Sequence, residues 1–402
     1  MVLAGHPTVA DVTPVAPDRM MRIAIYFSPL GRTFKPTGVG RHIVNMAGQL
    51  GRADGVEPVL LVGRKAYEAA RGNLPAELAT LPVSFLPGPE GLMRKLLLYA
   101  GWLPVDRWAG ADWVYCPKEQ PVTVRKSRLA VTIHDVLPFE RDVPGYTRRP
   151  RFCDRLRWER TMARILKSAD LIATVSQFTR QRLLSLFPVR DESRVVVVGN
   201  GVGEAFFRDP RPGDEAVLKS YGVESGRYVV VSGGLQVRKG ADVILKLAEE
   251  WKRRHADLVI LVTGRQHEPA YVPVVESLQQ RPDSLPLRLS GYVPDEELAA
   301  LLSHSLALAF PSRYEGFGLP TVEAMAAGTP VVFSPVGSLP EVIGDAGIPV
   351  PSGTAEEFDA VLRQLSDSAS TRQRYIEAGR ARARCYTWQE CAARLLAAMR
   401  SR

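Results

Sequence analysis

The sequence predicts an α/β protein of two doubly wound domains facing one another across a cleft, and three observations predict it. The chain has 402 residues, 46% of them apolar, enough at roughly 100–200 residues per domain for two hydrophobic cores. From Met21 onward, short β-branched runs alternate with longer amphipathic stretches, the pattern of parallel strands joined by crossover helices. The alternation breaks once, at the Gly- and Pro-rich stretch GNGVGEAFFRDPRPG (199–213), which reads as an interdomain linker.

In the first domain (1–199) the strands are RIAIYF (22–27), PVLLV (58–62), WVYC (113–116), LAVTI (129–133), LIATV (171–175) and RVVVV (194–198). Helices are expected at 40–51, 148–168 and 177–187. In the second domain (200–386) the strands are YVVVSG (228–233), LVILVTG (258–264), LRLSG (287–291), LALAF (306–310) and PVVFS (330–334). The last segment, TWQECAARLLAAMRSR (387–402), is an amphipathic helix expected to cross back onto the first domain. Ligands of such sheets bind outside the carboxyl ends of the strands, so chemistry is sought there.

Charge separates the halves. Through Arg190 there are 28 basic and 16 acidic residues, a balance of +12, and from Asp191 onward 24 and 27, a balance of −3. A basic first domain suits an anionic surface or substrate. Its segment 146–167 carries eight basic residues against two acidic ones, and 91–108 mixes Leu, Tyr and Trp with Arg94 and Lys95. These features suit anionic headgroups or a lipid diphosphate, with a basic helix packed on the sheet as the plain alternative. No nucleic-acid recognition module accompanies the charge. The four cysteines form no CxxC pair, which disfavours structural zinc and a disulfide scaffold. No apolar run is long enough to span a bilayer and the start lacks a secretory pattern, so a cytoplasmic protein is expected, with peripheral attachment to the membrane left open.

The densest motif is PSRYEGFGLPTVEAMAAGTPVV (311–332), directly after LALAF. Pro320 fits the first turn of a helix ending at Gly328, which puts Glu315, Gly316, Phe317, Gly318 and Leu319 at the helix N-terminus. Free N–H groups and the positive end of the helix dipole make that loop a phosphate site. Glu315 and Glu323, eight residues apart, can face the same cleft. A carboxylate accepting two hydrogen bonds from a ribose diol contributes roughly 1.5–3 kcal/mol.

This segment resembles the E-x7-E signature of retaining GT-B glycosyltransferases, glycosyltransferase family 4. The resemblance extends through HDV (134–136), SADLIATVSQFTRQRLL (168–184), VVVVGNGV (195–202), GGLQVRKG (233–240), GYVPDEELAALL (291–302) and SLPEVIGDAG (338–347), and is strongest to the mannosyltransferase-like branch. It implies the GT-B fold, a nucleotide-diphosphate sugar as donor, most often GDP-mannose in that branch, and a glycan or lipid-linked acceptor in cell-envelope polysaccharide or glycolipid synthesis. UDP- and dTDP-sugars stay open as donors.

The resemblance also implies roles. Glu323 would bind ribose. Glu315 with Gly316, Phe317, Gly318 and Leu319 would hold sugar and phosphate. Arg238 and Lys239 would neutralise the diphosphate, where fixed cations stabilise the charge that builds as the sugar leaves. His134 would sit beside the transferred sugar, with Asp135 on the acceptor side or orienting the loop. Gly38, Gly40 and Arg41 would face the donor from the first domain, Arg41 reaching the diphosphate or the acceptor. Gly234, Gly264, Tyr292 and Val293 would line the base and phosphate. The family's proline before the basic pair is Val237 here. The chain has no Asp-x-Asp triplet, so basic side chains and backbone N–H groups are expected to replace a metal, with no cofactor. Retention would come from front-face attack. Two rivals remain: a catalytically silent nucleotide-sugar-binding scaffold, whose mark would be a broken Glu315/Glu323 or Arg238/Lys239 set, and an oxidoreductase. The latter is disfavoured because GVGRHI (38–43) holds two of three fingerprint glycines and begins too far past its strand.

Overall fold

The computed structural model of the protein describes residues 19–26, 37–87, 102–141, 143, 152–265 and 267–402. Residues 27–36, 91–101 and 146–151, which hold parts of the early glycine loop and of both basic stretches, lie outside the described residues. Two parallel sheets organise the chain.

The first sheet has the order β3-β2-β1-β4-β5-β6-β7. Its strands are β1 (Met21–Tyr26), β2 (Val56–Gly63), β3 (Val83–Leu86), β4 (Trp113–Cys116), β5 (Arg128–Ile133), β6 (Leu171–Thr174) and β7 (Val195–Val197). Helices cover both faces, so central strands read as unbroken apolar runs; Ile23, Ala24, Ile25 and Tyr26 of β1 are all buried. Ile25 lies opposite Leu60 on one side and Tyr115 on the other. Strand β3 escapes the pattern of apolar runs because it is a four-residue edge, VSFL, with three positions half-exposed.

The second sheet has the order β10-β9-β8-β11-β12-β13. It comprises β8 (Tyr228–Ser232), β9 (Val259–Thr263), β10 (Leu287–Gly291), β11 (Ala307–Phe310), β12 (Val331–Phe333) and β13 (Ile348–Pro349). The unanticipated β13 is a two-residue edge ending in proline. In both sheets strand order reverses beside the first strand, between β1 and β4 and between β8 and β11. That crevice is the topological switch point where α/β sheets bind ligands.

Helix Gly38–Arg52 begins at the Thr37 cap, whose hydroxyl accepts from Gly40 N at 3.1 Å. It buries His42, Ile43, Met46, Ala47 and Leu50 on one face. Helix Leu319–Ala326 holds Pro320 in its first turn and stops two residues short of Gly328, which lies beyond the end at φ 75°. Between the sheets the chain crosses twice at adjacent points: Val202 N donates to Tyr386 O at 3.0 Å. A Cβ on Gly201 would stand 2.2 Å from Trp388 N, so the two crossings touch. Helix Trp388–Arg400 then packs on helix Gly38–Arg52 and on β6. It buries Trp388, Leu395, Leu396 and Met399, each burial worth roughly 1.5–3 kcal/mol.

Candidate active site

The second domain builds its wall from two strand ends. After β8 a single 3-10 turn, Val237–Lys239, leads into helix Ala241–Arg253 through Gly240 at φ 72°. A Cβ at Gly240 would lie 2.3 Å from Pro311 O, so only glycine lets the turn close against the loop after β11. That closure aims both cations at one carboxylate. Lys239 Nζ donates to Glu315 Oε1 at 2.6 Å, Arg238 Nη1 to the same oxygen at 3.2 Å and to Tyr314 O at 3.0 Å, and Ser312 Oγ to Oε1 at 2.8 Å. Glu315 is 7% exposed and Lys239 8%. Burial pushes the Glu315 carboxyl up, but Lys239 and Arg238 overcome it and hold the carboxyl below its ordinary value. The ammonium of Lys239 also lies 4.8 Å from the Phe310 ring centroid.

Glu323, 3% exposed, lies on the helix that follows. Arg41 of the first domain reaches it across the cleft, one guanidinium nitrogen on Glu323 Oε1 and the other on Asp295 Oδ1. Burial raises the Glu323 carboxyl above its ordinary value; Arg41 opposes this and Asp295 adds to it. Arg41 therefore lies on the carboxylate expected to take ribose. Gly40 does not offer its N–H to the cleft, since Thr37 accepts it. Gly38 faces the other domain: a Cβ there would be 3.6 Å from Leu319 Cδ1.

The first domain's wall comes from the ends of β4 and β5. His134 Nε2 donates to Pro117 O at 2.9 Å, which in the neutral ring leaves Nδ1 as the acceptor. The backbone N–H of His134 donates to Glu119 Oε1. Under His134 lies the buried ring of His42, edge to face at 4.7 Å between centroids. His42 Nδ1 pairs with Asn200 Oδ1 at 2.7 Å and Nε2 with the Tyr115 hydroxyl at 3.1 Å. One proton order satisfies this set, with His42 neutral, donating to Asn200 and accepting from Tyr115. Burial, and then His134, hold His42 well below its ordinary value. Asp135 Oδ1 accepts from Leu137 N at 3.0 Å, and burial followed by the Glu119 charge raises its carboxyl. The walls meet at Gly316, where a Cβ would stand 2.1 Å from His134 O.

At the far end of the crevice Tyr292 is 39% exposed with the Arg265 guanidinium 5.7 Å from its ring centroid, whereas Val293 is buried in the core. Gly234 N donates to Thr263 O and Gly264 N to Gly291 O, so both glycines serve the strand ends. Phe317, Gly318 and Leu319 are buried beneath the loop. Asp295, Glu119 and Ser312 join the site without having been singled out from the sequence. Asp295 lies within GYVPDEELAALL, and the other two follow strand ends, which was the available signal.

Two doubly wound domains closing on a shared crevice, with paired cations held on a buried glutamate at the switch point, define a GT-B glycosyltransferase. The family model "Glycosyltransferase Family 4" matches residues 36–206 and "Glycosyl transferases group 1" residues 215–382. The chain is 31% identical over 287 residues to O-antigen chain mannosyltransferase B of Escherichia coli, covering 70% of this chain and 72% of that one. It is 30% identical over 277 residues to the MMP alpha-(1->4)-mannosyltransferase of Mycolicibacterium hassiacum, covering 67% and 64%. The solved structure of Anabaena Alr3699/HepE in complex with UDP and glucose superposes with a TM-score of 0.70 at 15% identity, over 95% of this chain and 100% of that one. The chain belongs to glycosyltransferase family 4.

Proposed function

We propose that the enzyme transfers mannose from GDP-mannose, with retention and without a metal, to a glycan or lipid-linked acceptor of cell-envelope polysaccharide or glycolipid synthesis. The observation that carries this reading is the convergence of Arg238 and Lys239 on buried Glu315 opposite His134, in a chain similar to two mannosyltransferases. In this reading Arg238, Lys239 and the N–H groups at the start of helix Leu319–Ala326 take up the charge that develops on the diphosphate. Glu323 takes the ribose diol once Arg41 gives way.

In the chemical step the C1–phosphate oxygen bond breaks, the acceptor oxygen bonds C1 on the same face, and the acceptor's proton passes to the departing phosphate oxygen. The commitment of Glu315 Oε1 to Lys239, Arg238 and Ser312 supports front-face attack, because such a carboxylate is a poor nucleophile. His134, with Nε2 tied to Pro117 O, holds the sugar from the other side.

We place the acceptor on the basic first domain, at the cytoplasmic face of the membrane. Helix Phe152–Ser168 exposes Arg155, Arg157, Arg160 and Lys167, and Trp102 is 76% exposed. Pro104, two residues past that tryptophan, bridges to Thr123, whose hydroxyl accepts from Arg164 of the same helix at 3.2 Å. Among the described residues no helix is long and apolar enough to cross a membrane.

The test is calorimetric titration with GDP, UDP, dTDP and ADP, with and without magnesium, repeated on Glu323→Ala. Selective, metal-free GDP binding that weakens about tenfold in the variant is expected. Tight binding of another nucleotide overturns the donor, and binding of none overturns the donor-site reading.

A further inference from the structure

Two family-like blocks, SADLIATVSQFTRQRLL and SLPEVIGDAG, have no part in the chemistry above, yet the fold brings them together at the active-site loop. We propose that Ser176 and Thr179 of the first domain, with Glu341 of the second, form an interdomain latch that positions the Glu315–Phe317 backbone for catalysis. They are positioning residues. The proposal rests on the chain's being a glycosyltransferase and not on which sugar it moves.

The contacts cross between the domains, those of Ser176 and Thr179 with Gly316 being buried and those of Glu341 exposed. Ser176 Oγ donates to Gly316 O at 2.6 Å and Thr179 Oγ1 to the same carbonyl at 3.1 Å. Ser176 also caps helix Gln177–Leu186, accepting from Thr179 N at 3.0 Å. That helix start leaves further N–H groups without partners in its own helix. Glu341 supplies the acceptors from the opposite domain: Oε1 takes Gln177 N at 2.8 Å and Oε2 takes Phe178 N at 2.9 Å. A carboxylate at a helix N-terminus is further favoured by the dipole. The ring of Phe178 meets Tyr314 edge to face at 5.6 Å.

The consequence for the loop follows from peptide geometry. In a trans peptide the C=O and the following N–H point in opposite directions. The first domain's hydroxyls draw in the Gly316 carbonyl, so the Phe317 N–H is turned away from them. Ser338 N and Oγ hold the Glu315 carbonyl at 3.1 and 3.0 Å, so the Gly316 N–H is turned away from Ser338. The second domain thus sets one amide by itself, and the other is set only when the domains are closed. Binding a nucleotide in the second domain needs no latch; presenting the sugar correctly does.

Three full-length variants test this: Ser176→Ala/Thr179→Val, Glu341→Ala and Glu341→Gln. Hydrogen exchange on the ligand-free chain reads the latch without reference to any donor. Exchange in peptides covering 177–180 and 312–319 is expected to speed up at least tenfold in Ser176→Ala/Thr179→Val and in Glu341→Ala, with 258–264 unchanged. Release of nucleoside diphosphate from GDP-mannose and from UDP-glucose then separates binding from positioning. For the donor that the wild type uses, kcat is expected to fall tenfold or more with donor KM within threefold. Glu341→Gln, which keeps one acceptor oxygen, is expected to recover part of that loss. Unchanged exchange at 312–319 overturns the proposal, as does kcat within twofold of wild type, or a rise in KM that accounts for the whole defect. If the wild type turns over neither donor, the donor reading is what fails, and exchange still decides the latch.

Discussion

Replacing Lys239 by methionine keeps most of the side chain's apolar stem and removes its charge, which makes it the cleanest probe of the cation pair. The ammonium is the nearest of three donors on Glu315 Oε1, at 2.6 Å against 2.8 Å for Ser312 and 3.2 Å for Arg238. Stranding a buried carboxylate with no partner costs about 3–5 kcal/mol. Arg238 and Ser312 remain, so the expected loss is about 2–3 kcal/mol, which for a domain of this size lowers Tm by about 6 °C. Turnover has a separate expectation: losing one preorganised charge at the departing phosphate costs about 100-fold in kcat. The assay is thermal unfolding from pH 3.5 to 8, with donor turnover at pH 7.5.

The pH dependence has a definite sign. Glu315 titrates below its ordinary value in the folded wild type, so its contribution to stability is complete above the unfolded value of 4.5 and is lost as pH falls through the folded one. The gap in Tm between wild type and Lys239→Met therefore peaks above about pH 5 and narrows in acid. A folded variant with wild-type turnover would remove Lys239 from the mechanism. A Tm gap that is independent of pH would refute the assignment of its stability effect to Glu315.

Gly316→Ala puts a methyl group 2.1 Å from His134 O; turnover is expected to fall more than 100-fold while calorimetry finds nucleotide affinity within threefold. Arg41→Ala frees the Glu323 carboxylate; if that carboxylate takes the ribose, the donor's nucleoside diphosphate is expected to bind more tightly at pH 8, and titrations at falling pH should show the gain disappearing as the raised Glu323 carboxyl protonates. Asp106→Ala releases three backbone N–H groups, those of Arg125, Lys126 and Ser127, held by Oδ2 at 2.7–3.0 Å. Denaturant titration should show a loss of about 2–4 kcal/mol at pH 7. Although burial raises the Asp106 carboxyl, those N–H groups hold it below 3.8, so the difference should fade as pH drops below that value.

The strands of both domains were legible because a parallel sheet covered on both faces turns each central strand into a short β-branched run, as in β1 and β8. The edges β3 and β13 were not, since half-exposed or two-residue strands carry no such run. In the site, Arg238, Lys239, Glu315 and His134 were read from the sequence because they follow strand ends within longer motifs, and Glu323 and Arg41 because they lie in the helices those motifs open. What the sequence pattern did not reveal is how the domains engage each other. Arg41 and Glu323 are separated by 282 positions, Ser176 and Gly316 by 140, and local periodicity carries no information about which surfaces meet when two domains close. Arg41 illustrates the point: its loop indicated the cleft, but its partner depended on where Asp295 and Glu323 converge.

The paired crossings at Val202 and Tyr386 bear on how the molecule can be cut. A single connector would let either half be expressed by truncation at one point. Here the first domain needs both strands β1–β7 and helix Trp388–Arg400 to complete its surface, so a fragment ending at the first crossing exposes the groove that Trp388, Leu395 and Met399 fill. The second domain, by contrast, is an insertion with its two ends side by side. It is therefore the half that can be excised, exchanged with that of a relative, or replaced by a short turn.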